Sequence, residues 1–247
     1  MINTELSNLL KTSYQSAFPF PHIVIDNFIQ EDIVNEVAEE VKKYEMWGYD
    51  PSAYSVKHQV NKFFSPWCDE NLNDIQQTAP KTWQVLSYLN SKEATLFLET
   101  LTGIDNILPD NKFVGGGMHK INTGGRLAVH ADYNVHPENE LHRRINLLLY
   151  LNKDWKSEWG GNLELWEKDM SKVTHSIEPV FNRAVIFNIT DDAFHGHPHP
   201  LTSPEDVSRY SLALYYFTET RPKNEISEKH AAIWQEHDHS VRNYAKF

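Results

Sequence analysis

The sequence predicts a mainly β fold, a sandwich or barrel of antiparallel strands, with helices confined to its N-terminal part. Three observations carry this reading. From about residue 112 onward, seven short apolar or alternating runs follow one another, each bounded by turn residues. No convincing helical period lies between them. Hydrophobic residues make up 40% of 247, enough to pack one large domain, and no repeat or Gly/Ser linker divides the chain.

Taken in order, "PFPHIVIDNFI" (19–29) reads as a short strand entering a core. In "QEDIVNEVAEEVKKY", Ile33, Val34, Val37 and Val41 recur at helical spacing behind early acidic residues, which suit a helix N-terminus. Residues 46–80 read as irregular and carry Trp47, Tyr49, Tyr54, Phe63, Phe64 and Trp67, either packing a loop onto the core or lining a substrate lid. A second helix is expected within "TWQVLSYLNSKEATLFLETLTG", closed by Gly103. The β runs follow: "KFVGGGMHKI", "GRLAVHADY", "RRINLLLYL", "GGNLELWE", "HSIEPV", "RAVIFNI" and "RYSLALYYFT". After residue 221 the chain turns polar, and "NEISEKHAAIWQEH" suggests a surface helix, with His237 and His239 on a solvated face. The resulting division is an N-terminal extension (1–111), a core (112–220) and a C-terminal tail or helix (221–247).

Composition narrows the function. A net charge of −11 opposes sequence-independent nucleic-acid binding, which requires positive charge to displace counterions. No stretch approaches the ~18 apolar residues of a membrane span. The N-terminus lacks the basic-then-apolar pattern of a secretory signal, and the single Cys68 fits a reducing compartment; both lead us to expect a cytoplasmic protein.

In "RLAVHADYN", His130 and Asp132 alternate along a strand and therefore project to the same face. An imidazole and a carboxylate aimed at one point make two thirds of a metal site; a surface His and Asp opening a turn is the alternative. The other His-x-acid triplet, His136-Pro-Glu138, lies in a proline-bearing polar turn that holds ligands less rigidly. A third ligand is available in "DDAFHGHPHPL" from His195, His197 or His199. Two histidines and a carboxylate on one side of a metal are the ligand set of non-haem Fe(II) oxygenases. Zinc could use similar ligands, but there is no HExxH helix and no CxxC pair. Arg209 opens the last strand, and an inward Arg beside a metal is costly unless an anion meets its planar fork. Together with the triad it suggests a dicarboxylate cosubstrate, and speaks against a binding module that holds a metal without turnover.

These residues, in this order, resemble the 2-oxoglutarate and Fe(II)-dependent oxygenases, in particular the prolyl-4-hydroxylase branch that includes the hypoxia-type prolyl hydroxylases. The resemblance spans about 115–218: His130-x-Asp132, "YLNKDW" followed by "GGNLELW", "IEPVFNRAVIF", "HGHP" and "RYSLALYYF", with "PFPHIVIDNF" a weaker echo. It implies a double-stranded β-helix, a jelly roll of roughly eight strands with helices outside. It implies His130, Asp132 and His195 as iron ligands, with His197 and His199 lining the mouth of the site. It further implies that Arg209 and Tyr150 hold the distal carboxylate of 2-oxoglutarate, and that Arg143 lies near a peptide substrate, although a surface arginine is the plainer reading. The cofactors so implied are Fe(II), 2-oxoglutarate and O2, with ascorbate a candidate reductant. The implied partner is a peptidyl proline, or alternatively a free amino acid or other small metabolite. One departure stands out: where the family often places a further cosubstrate tyrosine, ten residues before the first ligand, this chain has Lys120 beside His119.

Overall fold

The computed structural model describes residues 1–48, 58–66 and 68–235. The expected Tyr49, Tyr54, Trp67, His237 and His239 lie outside the described residues. Helices α1 (Leu6–Gln15), α2 (Glu31–Lys43), α3 (Asp69–Thr78), α4 (Pro80–Leu89) and α5 (Lys92–Thr102) are N-terminal. Strands are β1 (His22–Asp26), β2 (Gln59–Ser65), β3 (Leu108–Pro109), β4 (Gly117–Ala131), β5 (His142–Tyr150), β6 (Leu163–Trp166), β7 (Val173–Ile177), β8 (Arg183–Asn188), β9 (His195–His197), β10 (Arg209–Thr218) and β11 (Ile233–Trp234).

The strands form one strongly curled antiparallel sheet in the order β1-β8-β5-β10-β4-β9-β6-β7, with β2 and β11 on β4 and β3 on β10. Strand β4 joins its two halves: residues 117–121 pair with β10, and Leu127 and His130 pair with β9. Between them Gly124 has φ +75, and a Cβ at Gly125 would come within 2.5 Å of Ile121, so the bend requires both glycines. The two β runs expected at 112–121 and 125–133 are therefore a single bent strand. This curled sheet is the expected jelly-roll core.

Strand β5 reads as continuously apolar because both faces are covered. Ile145, Leu147 and Leu149 join the cluster under α2, α4 and α5, whereas Leu148 and Tyr150 join the interior cluster with Leu163, Leu165, Val185 and Phe187. The same alternation in β10 turns Leu212, Leu214 and Tyr216 toward the helices and Arg209, Ser211 and Tyr215 inward. Helix α2 buries Val34, Val37, Ala38 and Val41, carries Glu31 and Asp32 in its first turn and Lys42 and Lys43 in its last, complementing its dipole. Its Glu40 reaches α4, accepting the Lys81 and Thr82 backbone N–H groups that the start of a helix leaves unpaired.

Several expectations are corrected. The helix expected across 82–103 is two helices, because Ser91 caps α5 by accepting from Ala94 rather than continuing the first; Gly103 does close α5, at φ +75. Residues 46–80 are not irregular throughout but contain β2 and α3. Helix α1 was unforeseen, although Leu6, Leu10 and Tyr14 keep one face and Tyr14 is fully buried. The tail expected to be helical has only a 3-10 turn, Lys223–Glu225, and then runs extended as far as residue 235. Asn134 explains this by donating to Ser227 Oγ and the Glu228 carbonyl and accepting from the His230 N–H, contacts a continued helix would sever. Strands β1, β2 and β3 also tie residues 1–111 into the sheet itself. Among the described residues no helix is long and apolar enough to cross a membrane.

Candidate metal centre

The β4–β9 register sets His130 directly opposite His195, and Asp132 follows the end of β4. The three side chains offer ligand atoms all within 4.8 Å of one another, the one such group among the described residues. His130 Nε2 lies 3.4 Å from Asp132 Oδ1, and His195 Nε2 lies 3.5 Å from Asp132 Oδ2. Each Nδ1 lies 2.9 Å from a backbone carbonyl, Ala128 for His130 and Ala193 for His195. A carbonyl can only accept, so Nδ1 carries the proton, and in the neutral ring Nε2 points its lone pair at the carboxylate. Burial lowers the His195 pKa to about 4, keeping that ring neutral at pH 7. Lone pairs converging on a carboxylate need a cation between them, and this donor set fits Fe(II).

Asp132 is itself held in place. Its Oδ2 accepts from Asn146 at 2.7 Å and faces Arg143 Nη2 at 3.0 Å. Burial disfavours its charge, but the Arg143 guanidinium beside it favours the charged form, and the carboxyl lies well below its ordinary range. Arg143 is 1% exposed, so it is not a surface arginine. It bonds Asn146 Oδ1 through two nitrogens, and its guanidinium lies between the rings of Tyr215 (3.6 Å) and Tyr133 (4.3 Å). It lines the cavity and supports the Asp132 carboxylate.

A cavity of about 240 Å³ opens beside the triad. At its inner end Arg209, 4% exposed, donates Nε–H to the Gly161 carbonyl (2.8 Å) and Nη2–H to the Tyr150 hydroxyl (3.3 Å). Gly161 has φ +72, and a Cβ there would lie 3.1 Å from Arg209 Cδ, so a side chain at this position would crowd the arginine. Among the described residues no carboxylate pairs with Arg209, which leaves a buried cation suited to a ligand anion.

The position beside the expected cosubstrate tyrosine is decided by strand alternation. His119 lines the cavity, donating Nε2–H to the Gly115 carbonyl (3.0 Å), whereas Lys120 turns away and lies 5.8 Å over the Trp47 ring. Lys62 of β2, which the sequence did not single out, does line the cavity. His197 is buried inside the cavity rather than at its mouth, and His199 faces Glu164 at 3.7 Å on the far side. His136 sits 3.6 Å from Asp110, apart from the triad, and Glu138 is exposed and paired with Lys112. Of the aromatics expected between 47 and 67, Phe64 lines the cavity and Trp47 packs on Tyr44 and Tyr210. Trp234 is the contact that sequence reasoning missed. The tail lays it against His130 (4.7 Å) and stacks it on His58 (4.6 Å), and a lone tryptophan in a polar tail was the available signal.

Burial also holds the His119 pKa well below the ordinary histidine value, with Lys62 adding to the effect, and burial lowers His22. Unfolded, both would take up protons near pH 6.5, so below that pH the unfolded chain binds more protons than the folded one. Stability of the metal-free protein therefore falls as pH drops below 6.5, each such histidine adding a slope of up to about 1.4 kcal/mol per pH unit. Urea midpoints should fall from pH 7 to pH 5.5, less steeply in His119→Gln; an equal slope in the variant would remove His119 from this account.

Comparison with known proteins agrees with this geometry. Residues 116–217 match the 2OG-Fe(II) oxygenase superfamily. Over that span the chain is similar to this superfamily. The chain is 26% identical over 212 residues to mouse prolyl 3-hydroxylase OGFOD1, covering 83% of this chain and 34% of that protein. The chain thus spans about a third of the length of the curated relative it matches. Its fold is similar to a Trichoplax adhaerens prolyl hydroxylase solved with a hypoxia inducible factor peptide fragment (TM-score 0.56, 21% identity, 88% of this chain and 91% of that one). It is also similar to a Pseudomonas putida prolyl-4-hydroxylase (TM-score 0.55, 16% identity, 86% and 99%). These likenesses establish a prolyl-hydroxylase-type fold.

Proposed function

We propose that this protein is an Fe(II)- and 2-oxoglutarate-dependent dioxygenase that hydroxylates a prolyl residue of a peptide or protein. The observation that carries the reading is the pairing of the converging His130–Asp132–His195 set with a buried, anion-less Arg209 in one cavity. In this reading His130, Asp132 and His195 hold the metal on one face. Arg143 and Asn146 fix the orientation of Asp132, and Arg209 with Tyr150 holds the distal carboxylate. Bound there, Fe(II), 2-oxoglutarate and O2 would supply the oxidising power that converts C–H to C–OH, with succinate and carbon dioxide as by-products. Tyr215, Phe64 and Trp234 exclude water and present rigid aromatic surface to the substrate, with Arg143 beneath them. The relatives named as prolyl hydroxylases support the choice of proline. The single cysteine supports placement in the cytoplasm.

The test is turnover with Fe(II), 2-oxoglutarate and ascorbate as reductant, offering proline-containing peptides against free amino acids. We expect succinate release coupled to a mass gain of one oxygen atom on a peptide. Oxygen gain on a free metabolite alone, with no peptide competing, would replace the prolyl reading by that of a small-molecule hydroxylase. A protein that binds metal but never forms succinate would be a binding module.

A further inference from the structure

His197 lies on β9 two residues beyond His195, so it projects from the same face of the strand, opposite Leu127 of β4. It is 3% exposed, it lines the cavity, and among the described residues no group hydrogen-bonds either ring nitrogen. The other cavity histidines differ in this respect: His119, His130 and His195 each engage a backbone carbonyl. Buried polar side chains are nearly always partnered, so a ring with two unpartnered nitrogens facing a cavity calls for a ligand. The charged groups that face it are cations, Arg209 foremost, then Lys62 and Arg126. A hydrogen-bonding ring whose largest charged influence is the Arg209 guanidinium is suited to meet an anion held there. His197 lies outside the converging metal set, so its place is farther along the cavity, toward Arg209.

We propose that His197 is a direct contact for the distal carboxylate of the cosubstrate, donating a ring N–H to the anion that Arg209 grips. An imidazole has an N–H in either protonation state, so the contact does not depend on titration. The proposal rests on the oxygenase reading above and adds to it a second neutral donor, which selects a 2-oxo acid with a carboxylate at its far end.

The test is calorimetry of 2-oxoglutarate binding to the Mn(II)-loaded protein, which needs no turnover. His197→Leu, close in size but without donors, should weaken binding ~10- to 100-fold while Mn(II) affinity holds. His197→Gln and His197→Asn, each keeping a donor, should recover part of the loss. 2-Oxopentanoate, which lacks the distal carboxylate, should bind wild type and His197→Leu alike. Undiminished 2-oxoglutarate binding in His197→Leu, or equal losses for both ligands, overturns the assignment while the oxygenase reading stands. A wild-type protein that binds Mn(II) but no 2-oxoglutarate overturns both. A crystal structure of the wild-type protein with Zn(II) and 2-oxoglutarate decides the matter without a variant: a ring nitrogen more than about 3.5 Å from the distal carboxylate refutes the contact.

Discussion

His130→Ala and His195→Ala should each weaken Mn(II) or Fe(II) binding by more than about a hundredfold, because loss of merely a supporting partner already costs 10–100-fold. Each variant removes one of two Nε2 lone pairs that converge on Asp132. His197→Ala should leave metal binding intact, since His197 stands outside the converging set. Asp132→Ala is the less informative variant. It strands the Arg143 guanidinium, 1% exposed, without its carboxylate, and breaking a buried pair costs about 3–5 kcal/mol of stability. Metal titration followed by calorimetry checks the histidine variants; retained binding in His195→Ala with loss in His197→Ala would reverse the assignment of the third ligand.

Arg209→Ala should raise the 2-oxoglutarate dissociation constant of the metal-loaded protein by tens to thousands of times, while metal binding is unchanged. Truncating one partner of a buried, charge-assisted contact costs on the order of 2–5 kcal/mol, and each ~1.4 kcal/mol is tenfold. Tyr150→Phe should lose less, because the hydroxyl contributes a single contact beside Arg209. Unchanged affinity in Arg209→Ala would move the anchor to Lys62 or His119, which line the cavity. Lys120 would not inherit the role, because its ammonium lies over Trp47.

Much of the fold was legible because strand periods and turn residues are local signals. The run 209–218 is β10 residue for residue, and α2 follows its Val34–Val37–Val41 spacing. Less legible was whether adjacent segments join or part. The side chain of Ser91 splits one apparent helix, and two glycines bend one strand that reads as two. His130, Asp132 and Arg209 were legible because strand alternation alone sets the face on which they lie. His195 was one of three neighbouring histidines by residue chemistry and was singled out by the family resemblance alone; the β4–β9 register sets it opposite His130. His197 and His199 differ by a single strand period, yet one enters the cavity and the other faces Glu164 beyond it.

The β-rich class, the metal-ligand types and a candidate anchoring guanidinium could be read from the chain alone, because these depend on residue chemistry and on spacing within single strands. What residues distant in the chain do to one another emerges from the folded packing. Strand β2 carries Lys62 to the cavity, the extended tail carries Trp234 onto His130, and Arg143, expected near a substrate, is buried against Asp132. The reason is that sheet pairing and burial act between segments far apart in sequence. A polar side chain's role depends on which desolvated partner that pairing brings within hydrogen-bond reach, and no local period records it.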